Sequence, residues 1–341
     1  MRKKRRIKAL GYIGACIVLL CAGLCGCASA EADENTKADE STAAGEGTEQ
    51  ADGVAADSYA GEDGATEANS GGDKDGALAE ADSADDGTAQ NGEEHAAETV
   101  SLEGLGISVL GDSISTYDGW IPEGFNVFYP FDGELTDVSQ TWWKSLIDET
   151  GMELCANNSS SGSTCIGDSL RIDDPGSGCS DGRLSFLAGS QGRLPDVIVV
   201  YMGTNDLLKG IPIGDNDGTK LVEEGDIENF SDAYCMILDK LVSYYPTAQI
   251  FCCTLAPVGD WGTDQPFVVF ENHLGLTAED YSNQIRVIAD NKGAAVIDLY
   301  NCGIEIDNLQ EMTTDGTHLT PTGMECVKNA VLDALTKGVV R

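Results

Sequence analysis

Histidine is scarce in the 341 residues, with only His95, His273 and His318, and no Cys-x-x-Cys pair occurs, so a zinc site built from imidazole and thiolate has little support. Basic side chains are also few. Twenty Lys and Arg face 58 Asp and Glu, a formal net charge of -38, which argues against nucleic acid and anionic lipid headgroups as partners. It says little about a neutral substrate. No apolar run reaches the roughly 20 residues that a spanning helix needs; residues 9–24 supply about 16. Residues 31–98 lack almost every aliphatic side chain and hold Tyr59 as their only aromatic. Such a stretch cannot bury enough apolar surface to offset the entropy of ordering it. No internal repeat is present.

What is there begins with Arg2, Lys3, Lys4, Arg5, Arg6 and Lys8, followed by the apolar run and then small residues. This order is that of a signal peptide over residues 1–26. Leu24-Cys25-Gly26-Cys27 resembles a bacterial lipobox, which implies a lipid on Cys27. That lipid would hold the chain at a membrane surface without spanning it, at the outer face of the cytoplasmic membrane or at an outer membrane. Cys25 is unusual at its place in that motif, and simple cleavage near Ala28-Ser29-Ala30 is the alternative. Residues 27–98 then read as a flexible acidic tether of Ala, Gly, Asp and Glu, whose ends would lie about 45 Å apart as a coil. Residues 99–341 form the one folded domain.

Eight of the 12 cysteines fall in that domain: Cys155, Cys165, Cys179, Cys235, Cys252, Cys253, Cys302 and Cys326. Export permits disulfides, but spacing does not select among the pairings. Cys252 and Cys253, adjacent in an apolar run, would point to opposite faces of a strand and read as buried thiols. Five short apolar runs, at residues 107–110, 152–156, 197–202, 249–255 and 294–299, fit a parallel sheet. Helical patterns at residues 142–150, 229–245, 278–291 and 321–337 alternate with them, and Thr320-Pro321 is a strong start signal for the last. Strand and helix in alternation predict an α/β layered fold with helices on both faces. In such sheets, sites form beyond the carboxyl ends of the strands.

The polar residues after those runs carry the chemistry. Gly111-Asp112-Ser113-Ile114-Ser115 puts a hydroxyl just past the first run. A glycine loop, Asn157-Asn158-Ser159-Ser160-Ser161-Gly162, follows the second, and Gly203-Thr204-Asn205-Asp206 follows the third. Asp315-Gly316-Thr317-His318 lies just ahead of the last helix. A serine becomes a nucleophile when a base takes its proton and a third group holds the base, roles that His318 and Asp315 could fill. An amide such as that of Asn205 can donate to a developing oxyanion.

All four blocks, in this order, resemble the SGNH hydrolases, the GDSL-type esterases and lipases, over residues 106–335 or so. The resemblance implies a three-layer α/β/α, flavodoxin-like fold around a five-stranded parallel sheet, with Ser113 as nucleophile, His318 as base and then acid, and Asp315 as the orienting carboxylate. It implies an oxyanion hole of the Ser113 and Gly162 backbone N–H groups and the Asn205 side chain. The loop before Gly162 departs from the family pattern in being unusually rich in serine. No metal or organic cofactor is implied.

A rival nucleophile is Ser180, in Gly178-Cys179-Ser180-Asp181-Gly182, which matches the G-x-S-x-G elbow but follows a loop instead of a buried strand. Asp215, Asp217 and Thr219 have the look of a calcium loop, but with its glycine misplaced they read as a solvated turn. Trp120, Phe125, Phe128, Tyr129, Phe131, Trp142 and Trp143 cluster behind Ser113, and Trp261, Phe267 and Phe270 follow the fourth run. Some of these must be core; the remainder could stack on sugar rings. Without an aliphatic stretch for a long chain, the expected substrate is a carbohydrate, such as a polysaccharide, bearing short acyl groups. A lipase, lysophospholipase or thioesterase of the same fold is the alternative, as is a surface binding lipoprotein without turnover.

Overall fold

The computed structural model describes residues 100–167, 176–260 and 266–340. The chain divides into two units, Met1–Gly87 and Thr88–Arg341, and every described residue falls in the second. The expected signal peptide, the Cys27 lipidation site and the tether lie outside the described residues, as do His95 and Trp261.

Five strands, β1 (Gly106–Gly111), β2 (Glu153–Asn157), β3 (Val197–Tyr201), β4 (Gln249–Cys253) and β5 (Ala295–Ile297), form one parallel sheet in the order β2-β1-β3-β4-β5. Between and after them run α1 (Trp142–Thr150), α2 (Asp181–Leu184), α3 (Thr204–Lys209), α4 (Phe230–Tyr244), α5 (Ala278–Lys292), α6 (Leu309–Met312) and α7 (Pro321–Gly338). The four longest helices are those marked by apolar periodicity. The short helices α2, α3 and α6 hold four to six residues, too few for a periodic stripe to show.

Alternation along the strands builds two cores. Ile107, Val109, Val197, Val199, Tyr201 and Phe251 face the layer of α1 and α7; Leu110, Ile198, Val200, Ile250 and Cys252 face that of α4 and α5. Cys253 joins the first core and Cys252 the second, the opposite-face arrangement expected of neighbours in a strand. Both are wholly buried thiols, and burial pushes the Cys252 thiol up to about 12. The result is a three-layer α/β/α fold.

The sheet order fixes where a site can form. From β1 the chain moves to one side for β2, then crosses back over β1 to reach β3, so the crevice beyond the carboxyl end of β1 is the switch point. Three loops meet there, those after β2, β1 and β3. At α7, the Thr320 hydroxyl accepts from Gly323 N–H and Pro321 opens the helix, so the loop before it ends in a fixed cap.

Candidate active site

Ser113 opens a single 3-10 turn, Ser113–Ser115, directly beyond β1. Asp112 caps that turn, its Oδ1 accepting from Ile114 N–H at 3.1 Å. A residue larger than glycine at 111 would bring Cβ within 2.7 Å of the Ser115 side chain and 2.8 Å of Ser159 Oγ, so close approach demands glycine there. The turn is also held from below. Trp142 Nε1 donates to Ser115 Oγ at 3.1 Å, Trp143 Nε1 to the Ser115 carbonyl at 3.0 Å, and Asn157 Nδ2 to that same carbonyl at 2.8 Å. Both tryptophans are fully buried, and so is Tyr129. Three aromatics of the cluster behind Ser113 are therefore core.

The loop before α7 brings the second and third groups. Asp315 Oδ1 accepts from the backbone N–H of Thr317 at 3.0 Å and of His318 at 2.8 Å, and its Oδ2 lies 2.7 Å from His318 Nδ1. His318 Nε2 in turn lies 2.9 Å from Ser113 Oγ. An ionised carboxylate at Nδ1 keeps a proton there, which leaves Nε2 free to accept from the serine hydroxyl. Burial alone would push Asp315 up, but the His318 ring and the two backbone N–H groups outweigh it and hold the carboxyl below its ordinary value.

Gly162 and Asn205 follow β2 and β3, the two neighbours of β1, so they flank the serine from either side. Gly162 is left-handed at φ +77, a conformation that favours glycine, and Lys209 Nζ donates to its carbonyl at 2.9 Å. Among the described residues neither its N–H nor that of Ser113 donates to another group. The Asn205 Nδ2 is buried without a hydrogen-bond partner. A buried donor left unsatisfied is costly, and a ligand oxygen is the natural partner for it.

Three side chains support these groups in ways the sequence patterns did not reveal. Arg183 of α2 is fully buried, donating through Nε to the Asn158 carbonyl at 2.9 Å and through a terminal nitrogen to the Gly111 carbonyl at 2.7 Å, so one guanidinium ties the serine loop to the glycine loop. Asp206 accepts the Cys165 N–H on both oxygens, at 2.9 and 3.1 Å, tying the glycine loop to α3. Phe128 lies face to face on the His318 ring. Ser180 stands elsewhere: it precedes the four-residue α2, is 3 % exposed, and its hydroxyl donates to the Ser177 carbonyl at 2.9 Å. Asp217 accepts from Thr219 N–H and hydroxyl in a local turn, and Asp215 pairs with Lys220. Among the described residues no cluster of metal-ligating side chains occurs.

Residues 105–260 match the GDSL-like Lipase/Acylhydrolase family. That stretch is a GDSL-like lipase/acylhydrolase domain. The match contains Ser113, Gly162 and Asn205 and ends before the loop of Asp315 and His318. Among solved structures, the GDSL domain is similar to a Bacteroides uniformis protein assigned as a GDSL-like lipase, at 26 % identity and a TM-score of 0.50, over 69 % of this chain and 96 % of that one. A Bacteroides ovatus protein with the same assignment gives 24 % identity and 0.51, over 69 % and 99 %, and a Lactobacillus plantarum protein 20 % and 0.52, over 70 % and 100 %. The last two speak to the fold alone. No curated protein matches the chain significantly. This domain makes the chain a hydrolase of ester bonds.

Two buried carboxyls of this GDSL site make a testable imprint on stability. Burial raises Asp112 to about 6, against the hydrogen bond from Ile114 N–H and the Arg183 charge, and its Oδ2 has no hydrogen-bond partner. Burial likewise raises Asp206 to about 7, against the Cys165 N–H. Between about pH 4 and 6 the folded protein therefore holds a proton on Asp112 that the unfolded chain has released, so stability falls as pH rises through this window. The loss is on the order of 3 kcal/mol for Asp112 alone. Urea melts across pH 4.5–7.5 should show a falling midpoint, and Asp112→Asn, which keeps an acceptor for Ile114 N–H, should flatten the slope; a midpoint that rises throughout would contradict it.

Proposed function

We propose that the chain is an exported serine esterase in which Ser113 attacks the acyl carbonyl, His318 is the base and Asp315 orients it. The observation that carries this reading is the unbroken contact from Asp315 Oδ2 through the His318 ring to Ser113 Oγ, at 2.7 and 2.9 Å. Ser113 Oγ gives its proton to His318 Nε2 as it bonds to the carbonyl carbon, and the carbonyl oxygen becomes an oxyanion. The N–H groups of Ser113 and Gly162 and the Asn205 amide are the donors for that oxyanion. His318 returns the proton to the departing alcohol, leaving an acyl-serine. A water, deprotonated by the same nitrogen, then releases the acid and restores the hydroxyl.

The substrate class we infer is a carbohydrate bearing short acyl groups, acetyl above all. Its support is the set of rings remaining after the core has taken its share: Trp120 is 40 % and Phe131 67 % exposed on the loop that follows the serine. Flat apolar rings on a rim suit the faces of sugars. We also propose that residues 1–26 direct export, that a lipid on Cys27 holds the chain at the outer face of the membrane, and that residues 27–98 let residues 99–341 reach away from it. The N-terminal charge and the apolar run support this.

The test compares nitrophenyl acetate with nitrophenyl octanoate, and an acetylated xylan with its deacetylated form as a binding control. Acetyl should be the better ester, with free acetate released from the polymer. Octanoate hydrolysed about tenfold faster would transfer the assignment to lipase or thioesterase chemistry. Binding to the polymer with no acetate release would favour the binding lipoprotein.

A further inference from the structure

Phe128 and His318 stack with ring centroids 3.6 Å apart and planes 9° from parallel. Two neutral aromatic rings avoid that arrangement, because their like-signed faces repel, and prefer an offset or edge-on contact at about 4.5–7 Å. The neighbouring pair Phe128 and Tyr129 conforms, edge-on at 4.9 Å. A face-on sandwich becomes favourable when one ring is a cation, since the negative face of the phenyl ring attracts it.

The surroundings hold Phe128 in place from both sides of the serine. Its backbone N–H donates to Thr116 Oγ1 at 3.0 Å, and that hydroxyl donates to the Ser113 carbonyl at 2.9 Å. The next residue, Tyr129, donates through its hydroxyl to the Leu319 carbonyl at 2.9 Å, directly after His318. Phe131 N–H closes a turn on the Phe128 carbonyl at 3.0 Å. One short segment therefore spans from the nucleophile turn to the histidine loop and sets the phenyl ring on the imidazole. Asp315 holds the Nδ1 edge of the base, Ser113 meets Nε2, and Phe128 covers a face of the ring.

The geometry points to Phe128 as a positioning residue that fixes the plane of His318 and stabilises its imidazolium in the transition state. This inference rests on His318 being the base. Proton transfer from Ser113 turns a disfavoured neutral sandwich into a favoured cation–π contact, so the interaction strengthens as the charge develops. An interaction stronger in the transition state than in the ground state raises kcat and leaves substrate binding alone.

The test uses the full chain and short nitrophenyl esters. Phe128→Leu should lower kcat about tenfold for acetyl and butyryl esters alike with KM changed less than about twofold, while Phe128→Tyr keeps activity within about twofold. Replacing Phe128 with mono-, di- and trifluorophenylalanine weakens the ring face with little change in shape, and log kcat should fall stepwise along the series. That series also decides the matter if Phe128→Leu fails to fold. A flat series, or a KM that rises at constant kcat, overturns the inference, the latter making Phe128 a substrate wall. Ser113→Ala is measured alongside. Hydrolysis persisting in Ser113→Ala would remove the triad reading and this inference with it; a flat fluorinated series with Ser113→Ala inactive removes this inference alone.

Discussion

Ser113→Ala should lower kcat for nitrophenyl acetate by at least about 10⁴-fold, with KM little changed. The hydroxyl is the group that bonds to the acyl carbon, and no neighbour can replace it: His318 lies behind it, and the Ser115 hydroxyl takes the Trp142 indole N–H. The variant should still fold, because Ser113 contributes a turn held by the Asp112 cap, Asn157 and two indoles. Loss of the single Ser113–His318 contact costs about 1 kcal/mol. A fluorophosphonate should label wild-type protein at Ser113 and leave Ser113→Ala unlabelled. Ser180→Ala should keep full activity, since that hydroxyl is occupied by the Ser177 carbonyl. Label found on Ser180 by mass spectrometry would move the nucleophile and break the proposed mechanism.

The parts of this site that sequence reveals are those written in local chemistry. Thr320-Pro321 announces α7 because a cap and a fixed φ act within one turn. Ile107 and Val109 against Leu110 mark β1 because side chains alternate across a strand. Gly111-Asp112-Ser113 and Asp315-Gly316-Thr317-His318 stand out because their neighbours are apolar elements that must end in the same plane. Other parts depend on contacts far along the chain. Arg183 reads as an ordinary solvated charge in a short polar stretch, and only the approach of Gly111 and Asn158 makes it a buried tie between two loops. Phe128 reads as one ring among seven near the serine. Its contact with His318, 190 residues further on, follows from the closure of the Tyr129–Leu319 bond and cannot be inferred from spacing. Asp206 looks like a helix-start carboxylate, yet it is fully buried and receives the Cys165 N–H.

Asp315→Asn should lower kcat by about 10³- to 10⁴-fold, and should be more damaging than Asp315→Ala by about tenfold. The carboxylate can only accept, so it holds the His318 proton at Nδ1 and presents a bare Nε2 to Ser113. In Asn the carbonyl oxygen is drawn to the N–H groups of Thr317 and His318, the partners of Oδ1, which leaves the NH2 group facing Nδ1. The ring then carries its proton on Nε2 and cannot take one from the serine. Alanine removes the carboxylate without imposing the wrong tautomer. Because the Asp315 side chain is 36 % exposed, water can reach Nδ1 in its place and leave part of the population competent. The order wild type, Ala, Asn in kcat at pH 7, with fluorophosphonate labelling of Ser113 slowing in the same sequence, would assign Asp315 its role through the tautomer of His318. Asn retaining more activity than Ala would refute it, since the surviving function of Asp315 would then be to hold the loop and not the proton.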